Sequence, residues 1–312
     1  MSRKIVVTGA SGFVGRALAK RLQCEGEEVL GICRKNGNFD FPVVTIPSLD
    51  NPDSLAEPLN GAEVVVHCAA RAHQMQDMAE DPLSAFRKIN RDLTLSLARK
   101  SAESKVSRFV FLSTVKVNGE STSGRDPFTS EEKAHPEDPY GFSKLEAEQG
   151  LLELASESGM EVVIIRPPLV YGPGVKGNFA SMIRLVDKGL PLPLGAVHNK
   201  RSLVALGNLV DLIITCTHHP SAANQVFLAS DGDDLSTTEL LRAVAVAMGK
   251  PSRLIPVPPG LLTAGATMLG KKAVARRLLD SLQVDISKTR DLLGWKPPLS
   301  VDDGLRRCFS DC

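Results

Sequence analysis

The chain has 312 residues, 43% of them hydrophobic, which is enough for one large α/β domain or one domain with a smaller lobe. Its 37 basic and 36 acidic residues nearly cancel, which argues against a nucleic-acid partner and for a small-molecule enzyme. No apolar leader opens the sequence and no apolar run reaches membrane-span length, so the expectation is a soluble, cytoplasmic protein without membrane insertion.

The first element is a short apolar run, Ile5, Val6 and Val7. It leads into Thr8-Gly9-Ala10-Ser11-Gly12-Phe13-Val14-Gly15, after which Val14, Leu18 and Leu22 recur at helical spacing. Strand, glycine-rich turn and helix in that order form a dinucleotide cradle. Gly9 suits a tight turn, Gly12 lets a ligand approach the main chain, and Gly15 lets helix and strand pack closely. The unpaired amides and dipole at the helix start favour a pyrophosphate.

The first helix is predicted to end near Gly26, and residues 29–32 form a second strand. An NAD site places a carboxylate after this strand to hold the ribose 2′-hydroxyl. Here Cys33, Arg34 and Lys35 follow instead, and a guanidinium suits a 2′-phosphate, so NADP(H) is favoured and NAD(H) stays open. Residues 43–46 and 64–67 give two more strands, with His67 read as a packed strand histidine. The small residues Ala69 and Ala70 then leave room for the cofactor. A polar loop from Arg71 to Met78 reads as a substrate-facing flap, with His73 a solvated loop residue.

Residues 83–101 are predicted as a helix containing Asn90, and residues 109–112 as a fifth strand delivering Ser113 and Thr114 to the ligand edge. Tyr140 and Lys144 stand four apart, on one face of a helix. There an ammonium can lower the phenol pKa from about 10 toward neutrality and make it a usable acid or base. The sheet continues at residues 162–166 and 226–228, giving an α/β fold, a Rossmann-type doubly wound parallel sheet with a smaller C-terminal substrate-binding lobe. Residues 261–269 have helical apolar spacing, read as packing onto that lobe in preference to a membrane-surface role. The six cysteines lack metal-ligand spacing and read as reduced thiols, with no metal expected.

Together these residues resemble the extended short-chain dehydrogenase/reductases, the NAD-dependent epimerase/dehydratase family that includes nucleotide-sugar epimerases, dehydratases and ketoreductases. Further matching text includes Arg166-Pro167-Pro168-Leu169-Val170-Tyr171-Gly172, Lys200-Arg201-Ser202 with Asn208 to Asp211, and Leu293-Gly294-Trp295. Val117-Asn118-Gly119-Glu120 and residues 174–179 are most similar to bacterial UDP-4-keto-6-deoxy-N-acetylhexosamine 4-reductases.

The resemblance implies Tyr140 as acid/base, Lys144 as its activator and ribose contact, and Thr114 as a hydroxyl on the reacting oxygen. It implies a cofactor held by Gly9, Ser11, Gly12, Phe13, Val14, Gly15, Arg34, Ala69, Ala70, Tyr140, Lys144 and Pro167, and a sugar nucleotide held by Thr114, Asn178, Arg201 and Arg277. Residues 1–167, with about 201–230, form the dinucleotide core, and about 168–200 with 231–312 the substrate lobe. A homodimer through the helices of Asn90 and Tyr140 is implied as well.

Val115 and Lys116 replace the acidic pair of 4,6-dehydratases, which argues against dehydration, and Ser48 replaces an aspartate expected near adenine. The leading expectation is an NADPH-dependent reductase of the C4 keto group of a UDP-linked sugar, deoxy and with or without an N-acetyl group, in bacterial surface-polysaccharide precursor synthesis. The alternative is a UDP-hexose 4-epimerase with tightly bound NAD. A third reading is a non-catalytic dinucleotide sensor.

Overall fold

Four apolar strands, β1 (Lys4–Thr8), β4 (Val64–His67), β5 (Arg108–Leu112) and β6 (Glu161–Arg166), occupy the middle of a seven-stranded, all-parallel sheet. The computed structural model describes residues 2–49, 52–71 and 81–309. On one side lie β2 (Glu28–Cys33) and β3 (Val43–Thr45), on the other β9 (Gln225–Leu228), in the order β3-β2-β1-β4-β5-β6-β9. The order reverses between β1 and β4, and the crevice beyond the strand ends at such a switch point is where ligands bind.

Continuous apolar strands are what a sheet covered on both faces demands. Ile5, Val7, Val64, Val66 and Val163 pack on one face against α1 (Phe13–Cys24) and α7 (Leu206–His218). Val6, Val65, Phe109, Phe111 and Val162 pack on the other, against α4 (Leu93–Glu103) and α5 (Pro139–Ser158). α1 ends as expected: Gly26 has φ +85, and the amides of Glu27 and Gly26 donate to the carbonyls of Leu22 and Gln23, closing a Schellman turn.

The single helix expected over 83–101 is a composite. α3 (Pro82–Arg87) passes through one turn of π-helix (Lys88–Asp92) into α4. The wider turn coincides with Asn90, which is fully buried and hydrogen-bonded away from its own helix.

A third core lies outside the sheet. β7 (Leu169–Tyr171) and β8 (Leu203–Ala205) pair with each other and pack with α6 (Gly177–Asp187), α8 (Thr237–Ala247) and α12 (Val301–Arg307) through Tyr171, Phe179, Leu240, Leu241 and Leu305. α8 starts with a capping box, Ser236 accepting from the Glu239 amide and Glu239 accepting from the Ser236 amide. Two short helices complete the architecture, α2 (Ala56–Leu59) and α11 (Ser287–Leu293).

Helix α9 (Pro259–Met268) corrects the expectation for residues 261–269: it contains no buried residue, so it does not pack onto the lobe as a core helix. Its short partner, α10 (Lys272–Leu279), buries only Ala275. Among the described residues no helix is long and apolar enough to cross a membrane. Cys24, Cys33, Cys68, Cys216 and Cys308 are free thiols, and Cys312 lies outside the described residues.

Candidate active site

The glycine-rich turn is shaped by backbone contacts that only glycine permits. Gly9 has φ +68, and a Cβ there would lie 2.7 Å from the Ala69 nitrogen. A Cβ on Gly15 would lie 2.4 Å from the Gly9 carbonyl oxygen, which already accepts from the Gly12 amide at 2.8 Å. A Cβ at Gly12 would meet nothing but that oxygen, at 3.0 Å, so its other side is open to a ligand.

Gly12 caps α1 without a side-chain hydrogen bond, and no carboxylate occupies the first turn with Phe13 and Val14. The helix dipole there is left for an external anion, and the cradle fits the pyrophosphate of a dinucleotide. Ser11 is exposed beside it. Ala69 is half-buried and Ala70 exposed past the end of β4, while the buried Pro167 ties β6 to β5 by accepting from the Val115 amide at 3.0 Å. Arg34 and Lys35 are exposed at the end of β2.

β5 carries the chain to Thr114, whose hydroxyl accepts from the Lys116 amide at 3.3 Å. α5 begins opposite it, with Pro139 in its first turn and the Asp138 carboxylate accepting from the Gly141 amide at 2.7 Å. Tyr140 thereby sits in the first turn, half-buried, against Phe86 and hydrogen-bonded to Thr114. One turn on, Lys144 is fully buried, donates to the Leu112 carbonyl at 2.8 Å, and lies 4.2 Å from the centre of the Phe111 ring. Thr114, Tyr140 and Lys144 are therefore brought to one place.

The electrostatics differ from expectation. Burial and the nearby Asp138 hold the Tyr140 phenol above its ordinary range, and the hydrogen bond from Thr114 works against them. The Lys144 ammonium is turned to the Leu112 carbonyl and the Phe111 ring. Burial in turn lowers Lys144 to about 7, against the pull of Glu148. His67 is the packed residue expected, held between the Thr8 and Thr94 hydroxyls at 2.6 and 3.0 Å and lowered by burial to about 3.

A polar network behind the site was not expected. Glu148, one turn beyond Lys144, forms a buried pair with Arg166, and Arg166 also donates to Asn118 at 3.1 Å. Ser113 donates to Glu148, so its hydroxyl serves this network and not the ligand edge. Asn90 accepts from the Arg71 amide at 2.8 Å and donates to Ser143 at 3.0 Å, tying the π-turn to α5. Glu148 continues the i+4 series of Tyr140 and Lys144, the one pattern that points to it. Lys116, at a position acidic in dehydratases, bridges Glu120 at 2.6 Å and Asp138 at 2.5 Å.

Arg201 donates to the Asp280 carbonyl at 2.9 Å, and burial lowers its pKa. Arg277 is exposed near the end of α10, whose C-cap is Asp280, the residue that Arg201 contacts. Its neighbour Arg276 reaches Glu137 at 2.9 Å, joining α10 to the approach of α5. Asn178 stands near the start of α6, and its side chain lies outside the described residues, as does the flap with His73. A groove of about 470 Å³ opens elsewhere, lined by Ala17, Arg21, Tyr171, Leu206 and Leu299; none of Thr114, Tyr140 and Lys144 lines it.

The family model for the NAD dependent epimerase/dehydratase family matches residues 5–229, which contain both the glycine cradle and Thr114, Tyr140 and Lys144. The chain belongs to the NAD-dependent epimerase/dehydratase family. This family member is an enzyme, and it is 47% identical over 310 residues to a UDP-glucose 4-epimerase of Vibrio cholerae, covering 98% of this chain and 94% of the relative. It is 26% identical over 328 residues, 98% of this chain and 94% of the other, to an N-acetyl-α-D-glucosaminyl-diphospho-ditrans,octacis-undecaprenol 4-epimerase of Escherichia coli O157:H7. The fold matches the crystal structure of a Bacillus cereus UDP-N-acetylglucosamine 4-epimerase with TM-score 0.80 at 23% identity, covering 98% and 97% of the two chains.

Proposed function

We propose that this enzyme is a UDP-hexose 4-epimerase, and that its sequence expectation of net C4 ketoreduction yields to that alternative. The observation that carries the reading is the 47% identity, along nearly the whole of both chains, with a UDP-glucose 4-epimerase. Thr114, Tyr140 and Lys144 serve either reaction.

When bound, NAD supplies the reversible hydride acceptor that the reaction needs. Gly9, Ser11, Gly12, Phe13, Val14, Gly15, Ala69, Ala70, Pro167 and Lys144 hold it on residues 1–167 with about 201–230. Residues 168–200 and 231–312 close over the sugar nucleotide, with Arg201, Arg277 and Asn178 on its diphosphate side. Tyr140 takes the proton of the C4 hydroxyl and later returns one to the same oxygen, while the Thr114 hydroxyl steadies the developing charge. One phenol suffices for inversion if the sugar can present either face to it. The family resemblance also implies a homodimer through the composite helix that carries Asn90 and through α5, which carries Tyr140 and on which Phe142 and Leu152 are exposed.

The test follows UDP-glucose and UDP-galactose by chromatography with no nucleotide added. Wild type interconverts them, and Tyr140→Phe lowers the rate by about 10²-fold or more with nucleotide still bound. Equal rates would remove Tyr140 from the chemistry.

One observation favours the ketoreductase: the exposed Arg34 and Lys35 stand where an NAD site places a carboxylate.

A further inference from the structure

Helices α9 and α10 present a surface unlike the rest of the molecule. On α9 and just past its end, Leu261 is 66%, Met268 87% and Leu269 74% exposed, and Val274 of α10 and Ile255 ahead of α9 are about half exposed. Leu262 and Ala266, one turn apart, are partly covered, which sets a narrow stripe of α9 inward and leaves its apolar remainder bare. Single exposed leucines are ordinary, whereas a contiguous apolar patch marks a contact surface.

Along the chain, the charge next to this patch is basic; Arg276 is paired with Glu137 and Asp280, while Lys271 and Lys272 are exposed. Lys271, Lys272, Arg276 and Arg277 follow α9 closely, and no carboxylate occurs between Glu239 and Asp280. In a chain with 37 basic and 36 acidic residues, that segregation is local.

We propose that α9 and the start of α10 dock on an anionic lipid surface, with Leu261, Met268 and Leu269 among the headgroups and Lys271 and Lys272 at the level of the lipid phosphates. Apolar and cationic faces side by side are the pattern of an interfacial helix. A second copy of this chain fits less well, since a two-fold contact pairs the patch with itself, and residues 240–279 offer no carboxylate to meet Lys271 and Lys272. The association is peripheral, because α9 has ten residues and a span needs about twenty. Arg276 of α10 bridges to Glu137, three residues before Tyr140, which links the helix pair to the start of α5.

Flotation of the full-length enzyme with vesicles tests this, comparing phosphatidylcholine alone with phosphatidylcholine and phosphatidylglycerol. Wild type is expected to float with the anionic vesicles at low salt. Recovery should fall about tenfold or more in Lys271→Glu/Lys272→Glu and in Leu261→Ser/Met268→Ser/Leu269→Ser. These side chains are exposed, so both variants keep the fold and the UDP-glucose turnover of wild type, read in the same samples; this separates failed docking from a failed epimerase reading. The proposal is overturned if wild type does not float, if the variants float equally well, or if sedimentation shows that the α9 variant merely converts a dimer to a monomer.

Discussion

Arg166 and Glu148 meet as a buried bidentate ion pair, Nη2 lying 2.5 Å from Oε2 and Nε 3.0 Å from Oε1. The pair joins the end of β6 to the helix that carries Tyr140 and Lys144. With Ser113 and Asn118 also on it, its hydrogen bonds are well distributed, which is the condition for a buried pair to be tolerated. Arg166→Met leaves the Glu148 carboxylate without its cation and is expected to cost about 3–5 kcal/mol in urea denaturation. A loss below about 1 kcal/mol would contradict that role.

Lys144 gives stability a defined pH dependence. Its folded pKa of about 7 lies below the ordinary 10.5, so between those values the unfolded chain binds more protons and stability rises with pH. The cost of burying the charge is fully present below pH 7 and has gone by about 10.5. Lys144→Met carries no such charge. Its stability relative to wild type is expected to be greatest below pH 7 and to decline as pH rises, read by thermal denaturation across the range. A relative stability that grows with pH would contradict the assignment.

The glycine cradle predicts a sharp contrast between two alanine variants. Gly15→Ala forces a Cβ to within 2.4 Å of the Gly9 carbonyl oxygen, and neither backbone segment can yield cheaply. Calorimetry should find dinucleotide affinity reduced about tenfold or more, with about 1–3 kcal/mol of stability lost. Gly260→Ala, where nothing lies within 4 Å, should match wild type in both.

Arg34 separates the two cofactor readings. With NAD as the working cofactor, Arg34→Ala changes the affinity for NADH by less than about fivefold, as for any exposed cation. A loss confined to NADPH would identify Arg34 as the reader of a 2′-phosphate and favour the ketoreductase.

Much of this fold is legible in the sequence because its parallel strands are buried on both faces. Ile5, Val6 and Val7, or Val64, Val65 and Val66, can be read as strands without knowing their neighbours. The turn from Gly9 to Gly15 is legible because backbone sterics alone dictate its glycines. Tyr140 and Lys144 declare themselves by spacing on one helix. The network behind them does not, since Arg166 and Ser113 reach Glu148 from separate segments and Asn118 joins it only through Arg166. The π-turn at Asn90 is equally hidden, because the partners of the Asn90 side chain, Arg71 and Ser143, come from distant segments. Leu261, Met268 and Leu269 have the spacing of a packed helix, and only the tertiary structure reveals that nothing covers them.

Interconversion at C4 without net redox change is checked by following sugar and nucleotide together. The purified enzyme would be given UDP-glucose while the sugar is read by nuclear magnetic resonance and the reduced nicotinamide by its absorbance. UDP-galactose is expected to appear up to equilibrium with no net accumulation of reduced nucleotide. An enzyme that leaves UDP-glucose unchanged, yet consumes NADPH mole for mole with a UDP-linked 4-keto sugar, would contradict that interconversion.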